Sequence, residues 1–133
     1  DSIQTFITYS NVLNSIYKKY QVDYTVYDVL QKFIINENNI DVGVLKKLDP
    51  IILQTNKIVE GMVMMSVPKS ISTLHLNVIN TFQRLVENIS DIKLYDTDPI
   101  MALGGISQYK ENATKLDSDL YNLENTINQK LKN

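Results

Sequence analysis

His75 is the only histidine in this 133-residue chain, and histidine is the side chain that most readily exchanges protons near neutral pH. One histidine cannot form a multi-histidine metal site, and because the chain has no cysteine, a zinc site would depend on carboxylates. His75 falls at the edge of an apolar stripe, between Ile71 and Phe82. We therefore expect a structural histidine whose nitrogens bond a neighbouring helix. The alternative is a pH-sensitive hinge.

The carboxylates that could act as acid–base or metal groups are scattered. Asp98 precedes a proline, so capping of a helix explains it without a metal. We expect Asp117 and Asp119 on a solvated helix face, and Glu111 can pair with Lys115 four residues later. No calcium loop, phosphate loop or nucleophile elbow is present. The sequence therefore predicts no catalytic residue, no metal and no cofactor.

Tyrosines are concentrated near the start of the chain. Because tyrosine combines a large apolar ring with a polar tip, Tyr17, Tyr20, Tyr24 and Tyr27 could line a groove for a peptide or a small ligand. The alternative is that these rings close one end of the fold with their hydroxyl groups in water. The sequence leaves both interpretations open.

Two weaker signals accompany the tyrosines. Met62, Met64 and Met65 form a soft apolar patch of the kind used on adaptable binding surfaces, although core filling would explain it equally well. Asn88 and Asn112 each begin an N-glycosylation pattern, which an asparagine-rich sequence also produces by chance.

Composition limits the class of protein. The formal net charge is −2 and Lys and Arg never cluster, so no electrostatic field would recruit nucleic acid. The longest mainly apolar run, residues 58–67, is far shorter than the roughly 20 residues that a membrane span needs. The length fits a single domain, residues 1–133, with one core.

The central element that positions these residues is a helix predicted over residues 67–94. Its apolar residues recur at spacings of three and four, as one face of a helix requires. Pro68 suits the first turn, and Ser66 before it can cap the helix. Apolar residues also occupy a flanking face, so the helix needs neighbours on more than one side.

Four further helices are predicted around it. The first covers residues 2–20, and a short one follows a capping box formed by Thr25 and Asp28. A third begins at Asp49-Pro50, with a separate turn before it that Asp41 caps. The last begins at Asp98-Pro99. Since no segment alternates with a period of two, no sheet is predicted.

These elements predict an all-α fold: an antiparallel bundle of four main helices plus one short helix. Short connections make sequential helices pack antiparallel. Gly104-Gly105 near the start of the last helix costs helix propensity, which indicates a kink or a close helix crossing.

The last helix carries the longest apolar line, which ends at Ile127 and Leu131. If the helix outruns the central one, its C-terminal turns project and must be covered by helix one, by a protein partner or by self-association. Ile127 and Leu131 are therefore candidate partner contacts.

The second half of the chain, from about Ser66, resembles uncharacterised helical proteins of small-genome candidate-phylum bacteria. The matching residues are Val67, Pro68, Leu74, His75, Asp98, Pro99, Ala102, Leu103 and Tyr109. The resemblance implies a helical, extracytoplasmic or cell-surface domain on a membrane-attached chain.

Three functions are compatible with the sequence. The first is a non-catalytic interaction or scaffold domain in a larger membrane-attached or surface protein, favoured by the long apolar stripes. The second is a bundle that binds a small ligand or peptide at its tyrosine-rich end. The third, a hydrolase or metalloenzyme, lacks a convergent polar constellation, so we do not expect an enzyme.

Overall fold

A computed structural model describes residues 1–36 and 39–132 of the chain. The all-α prediction is confirmed: four main helices and one short helix form the fold. In chain order the helices are α1 (Ile3–Lys19), α2 (Val26–Phe33), α3 (Leu48–Met64), α4 (Ser72–Ile92) and α5 (Pro99–Lys132). Short 3₁₀ helices, Val42–Lys47 and Lys69–Ile71, precede α3 and α4.

Local capping explains where three of the helices begin. Thr25 and Asp28 form the predicted capping box of α2, in which each side chain bonds the backbone N–H of the other residue. Ser2 and Thr5 form a second box at α1. The Asp98 side chain accepts from the Met101 N–H at 3.1 Å, so the predicted cap of α5 is confirmed.

The third helix begins one residue before the predicted Asp49-Pro50 start. Asp41 caps the 3₁₀ helix by accepting from the Gly43 N–H, as expected, and α3 follows directly from Leu48. Asp49 therefore does not cap α3. Its carboxylate instead forms an ion pair with Lys93 at the end of α4.

The start of the central helix also differs from the prediction. Ser66 does not cap it and Pro68 does not lie in its first turn, because α4 begins at Ser72 and has no side-chain cap. The carboxylate of Asp1 instead caps the preceding 3₁₀ helix, where it accepts from the N–H groups of Lys69 and Ser70 at 3.0 and 2.8 Å. Asp1 and Lys69 are 68 positions apart in the chain. Periodicity, which reads only neighbouring residues, cannot predict such a contact.

Helices α3, α4 and α5 pack in antiparallel succession, with α4 in the centre. At the α4–α5 crossing, a Cβ added to Gly105 would lie 2.8 Å from the Asn88 carbonyl oxygen, whereas Gly104 faces open space. The predicted close helix crossing is confirmed at Gly105. Gly105 lies beside Ile92, the last residue of α4. The first turn of α5, which precedes Gly105, therefore extends past the C-terminal end of α4.

The buried apolar residues form two clusters along the bundle, not the single expected core. Helix α1 covers the cluster around Phe82 and Leu123. Helix α2 and the first 3₁₀ helix cover the second cluster, around Phe33 and Ile89. Residues 20–25, which lie between α1 and α2, form no helix.

One short antiparallel ladder pairs β1 (Ile34–Asn36) with β2 (Asn39–Ile40) directly after α2. Strands of three and two residues are too short for a period of two to be read in the sequence. The sequence therefore misses this two-stranded sheet. The fold class is still all-α.

Candidate functional site

The structure brings three of the predicted contact residues, Tyr17, Ile127 and Leu131, together in one groove between α1 and α5. The groove has a volume of about 440 Å³. We call it the α1–α5 groove. Its lining residues are Ser10, Leu13, Asn14, Tyr17, Leu120, Leu123, Glu124, Ile127, Asn128 and Leu131.

The groove has an apolar floor and a polar rim. Leu13, Leu123 and Ile127 are buried at the floor, where they belong to the first core cluster. Polar side chains of α1 and α5 complete the lining, and Glu124 is the one charged residue among those that line it. An apolar centre with a polar border is the usual composition of a protein–protein interface.

Helix α1 packs beside the C-terminal turns of α5. This is the first of the three covers considered for the apolar line of α5. Leu123 is 2% exposed and Ile127 is 7% exposed, whereas Leu131 is 37% exposed at the end of the groove. Ile127 therefore serves the core, and Leu131 is the more accessible of the two candidate contacts.

Tyr17, near the end of α1, packs against the central helix α4. Its ring lies 6.5 Å from that of Phe82, and burial raises the pKa of its hydroxyl to about 12. The hydroxyl oxygen is buried and has no hydrogen-bond partner within the described part of the chain. A donor left unpaired in this way lowers the stability of the folded state.

The other three tyrosines do not join this groove. Tyr20 ends α1 and lines a separate groove between α1 and α3. Tyr24 donates its hydroxyl proton to the Lys47 carbonyl at 2.7 Å, and Tyr27 packs edge-on against Tyr109. A single groove lined by all four tyrosines, one of the two interpretations of the sequence, is therefore not formed.

His75 connects three helices through buried hydrogen bonds. Its Nε2 lies 2.8 Å from the Met62 carbonyl of α3, and its Nδ1 lies 2.8 Å from the Tyr9 hydroxyl of α1. Because a carbonyl only accepts, Nε2 carries the proton and Nδ1 accepts from Tyr9. Burial lowers the pKa of His75, and the bond to Met62 opposes this shift. These contacts match the structural alternative, and the pH-sensitive alternative stays a prediction.

Asp119 lies inside the bundle and not on the solvated face that the sequence predicts. It is 8% exposed and accepts the hydroxyl proton of Thr81, which is fully buried on α4, at 2.6 Å. Lys115 pairs with Asp119 at 3.0 Å and not with Glu111. The sequence does indicate this position: Asp119 lies three residues after Leu116 and four before Leu123, and residues at these spacings share one face of a helix.

Asn88 and Asn112 bond each other across the α4–α5 interface. The Asn112 amide donates to the Asn88 side-chain oxygen at 2.7 Å, and the Asn88 amide donates to Gln108 at 3.2 Å. Since Asn88 is buried, its amide nitrogen is inaccessible for glycosylation in the folded domain.

The three methionines separate in the structure. Met62 is fully buried in the first core cluster, Met65 is half-buried, and Met64 is 87% exposed. Met62 fills the core, as the alternative interpretation expects, and the methionines do not form one patch.

Residues 1–36 and 39–132 contain neither a metal-ion cluster nor a membrane-spanning helix. No three His, Asp or Glu side chains there lie close enough together to hold a metal ion. Within the same residues, no helix combines the length and the apolar character needed to cross a bilayer.

The sequence matches no family model, and no curated protein or solved structure matches the chain. The resemblance of the second half to helical candidate-phylum proteins therefore stays a prediction.

Proposed function

We propose that this chain is a non-catalytic helical interaction domain and that the α1–α5 groove receives one amphipathic helix of a protein partner. The observation that carries the proposal is the position of Tyr17 and Leu131 around an apolar floor bordered by polar residues. This composition suits a partner that contributes apolar side chains to the floor and polar side chains to the rim.

The shape of the groove favours a helix over an extended segment. Two antiparallel helices form its walls, and a third helix packs into such a groove by placing its side-chain ridges between theirs. Glu124 supplies the charge on the rim, so a lysine or arginine on the partner helix would complement it.

A non-catalytic role is supported by the structural use of the residues that could do chemistry. His75 bonds α1 to α3, Asp119 bonds Thr81 across the α4–α5 interface, and Tyr24 holds the α1–α2 linker to Lys47. Each group thus stabilises a contact between elements.

The larger context of the domain is part of the same proposal. The resemblance of residues 66–133 implies an extracytoplasmic or cell-surface position on a membrane-attached chain. In that setting the domain would act as a scaffold that holds a partner at the surface.

A displayed library of amphipathic helical peptides tests the proposal. We expect enriched peptides with apolar residues at helical spacing and at least one lysine or arginine. Leu131→Asp should weaken their binding by about tenfold or more, because it places a carboxylate on an apolar surface. Leu76→Asp on the exposed face of α4 is the matched control and should bind like the wild type.

Two outcomes would overturn the proposal. The first is equal binding of the enriched peptides to the wild type and to Leu131→Asp. The second is sedimentation of the free wild-type domain as a dimer that Leu131→Asp converts to a monomer, since a second copy would then be the occupant of the groove.

A further inference from the structure

An exposed apolar surface lies at the junction of α4 and α5. Four large apolar side chains form it, Leu94, Ile100, Met101 and Leu103, of which Ile100 is 83% exposed. The turn before α5 brings them together, because the Leu94 carbonyl accepts from the Asp98 N–H at 2.7 Å. We call this surface the junction patch. Single exposed apolar side chains are ordinary, whereas a cluster of them marks a site of interaction.

Gly104 lies on the same outward face of α5 as Ile100 and Leu103, at helical spacings of four and one turn or less. A Cβ added to Gly104 would have no heavy atom within 4 Å. Glycine costs helix propensity relative to alanine. The crossing with α4 requires glycine at position 105, but no contact within the described residues requires it at position 104. A surface glycine lets the backbone of a second helix approach closely.

The charges around the junction patch are negative. Asp96 and Asp98 are exposed beside its apolar side chains, and Asp91 lies at the α4–α5 crossing. Lys93 is already paired with a carboxylate of α3, and residues 94–109 contain no lysine or arginine. A cationic partner complements these carboxylates. A second copy of the patch or an anionic membrane surface would bring like charges together.

We propose that the junction patch binds a cationic amphipathic helix of a protein partner, which crosses α5 over Gly104. Apolar side chains of that helix cover Ile100 and Leu103, and its lysine or arginine side chains face the carboxylates. The junction patch is separate from the α1–α5 groove: at 1.5 Å per residue, Ile100 and Leu131 are about 45 Å apart along α5. Either site can therefore fail without the other.

A helical peptide built of leucine and lysine, titrated into the isotopically labelled full chain, tests the site. The chain carries Leu131→Asp, which removes the apolar end of the α1–α5 groove. We expect saturable chemical-shift changes centred on residues 94–107, and binding that weakens as salt is added. If Leu131→Asp does not fold, the wild type resolves the two sites as separate sets of shifts. A peptide with glutamate in place of lysine should bind at least about tenfold more weakly.

Two pairs of substitutions separate the apolar contribution from the charge. The double variant Ile100→Ser and Leu103→Ser should weaken binding of the leucine–lysine peptide by about tenfold. Tyr121→Ser is its matched control, because Tyr121 is 68% exposed farther along α5. It should bind like the parent chain.

The double variant Asp96→Asn and Asp98→Asn should weaken binding by about fivefold, because it removes two carboxylates from the border of the patch. Asparagine at position 98 still caps α5. Glu124→Gln, which removes a carboxylate near the other end of α5, is the control and should leave the affinity unchanged.

Gly104→Ala separates docking from stability. It should raise the melting temperature of the free domain, because alanine favours the helix, yet weaken peptide binding by about fivefold, because its Cβ holds the two helices apart. Unchanged affinity in this variant or in the Ile100→Ser and Leu103→Ser variant would overturn the proposal, as would equal binding of the leucine–glutamate peptide.

Two further results would identify a different occupant and so overturn the proposal. One is a wild-type dimer in sedimentation that the Ile100→Ser and Leu103→Ser variant converts to a monomer, which would indicate a second copy. The other is binding to vesicles of anionic lipid that the same variant abolishes, which would indicate a membrane surface.

Discussion

Tyr17 lies in the last turn of α1 and Tyr24 lies in the linker between α1 and α2. Their hydroxyl groups are in opposite situations. The Tyr17 hydroxyl is buried and unpaired within the described residues, whereas the Tyr24 hydroxyl bonds the Lys47 carbonyl. A buried donor without an acceptor lowers stability, and a satisfied one adds to it. The same substitution should therefore have effects of opposite sign at the two positions.

We predict that Tyr17→Phe will raise the free energy of unfolding by about 1 kcal/mol, and that Tyr24→Phe will lower it by about 1 kcal/mol. Urea denaturation of both variants beside the wild type measures the difference. A loss of stability in Tyr17→Phe would show that its hydroxyl has a partner in solution.

The buried His75 makes the stability of the domain depend on pH. Burial holds its folded pKa below the ordinary value of about 6.5, so the unfolded chain binds its proton first as pH falls. The contribution of His75 is therefore fully present above about pH 6.5. It is lost progressively as pH falls from there through the folded pKa.

We predict that the wild type loses stability between about pH 7.5 and about pH 5.5 and that His75→Gln, which cannot titrate, loses less over the same range. Denaturation at both pH values compares the two proteins. An NMR titration that gives His75 a pKa of 6.5 or above would contradict the buried, neutral state.

The close approach of α4 and α5 depends on a single glycine, Gly105. A Cβ at position 105 would meet the Asn88 carbonyl oxygen at 2.8 Å and the Asp91 Cβ at 2.9 Å. At position 104 no heavy atom lies within 4 Å. The two glycines are adjacent in one helix, so they form a matched pair.

We predict that Gly105→Ala destabilises the domain by about 1–3 kcal/mol, because backbone atoms of α4 must move. Gly104→Ala should stabilise it by about 0.5–1 kcal/mol through helix propensity. Thermal melts of both variants provide the test. Equal stabilisation by both would show that the helices cross at a larger separation.

The C-terminal part of α5 gives a second comparison between positions of one helix. Leu123 is buried against the first cluster, and Leu131 is part-exposed at the end of the α1–α5 groove. We predict that Leu123→Asp unfolds the domain, because the core would hold an unpaired charge, whereas Leu131→Asp leaves it folded. Circular dichroism melts distinguish the two. Equal destabilisation would show that Leu131 also belongs to the core.

Apolar periodicity in the sequence predicts the helices, and pairs of residues three positions apart predict several of their N-terminal caps. The stripe of α4 and the box of Thr25 and Asp28 depend on residues close together in the chain, so the sequence alone contains the information. The same holds for the Asp98 cap. The Gly104-Gly105 pair costs helix propensity and so indicates a kink or a close helix crossing, and the crossing is found at Gly105.

The remaining features depend on contacts between residues far apart in the chain. Asp1 caps the helix segment at Lys69, and Tyr9 bonds His75 from another helix. The division of the core into two clusters, one covered by α1 and the other by α2, depends on how the helices pack. The α1–α5 groove is not predicted by the sequence: Tyr17 and Leu131 are candidates for two different surfaces, and nothing local indicates that they meet.

A partner helix bound in the α1–α5 groove would contact α1 and α5 and no other helix face. Chemical-shift mapping of an enriched helical peptide on the isotopically labelled domain locates its binding site. We predict that the shifts are confined to the facing sides of α1 (residues 10–17) and α5 (residues 120–131). Shifts centred on the α1–α3 groove around Met64, or spread evenly over the surface, would contradict it.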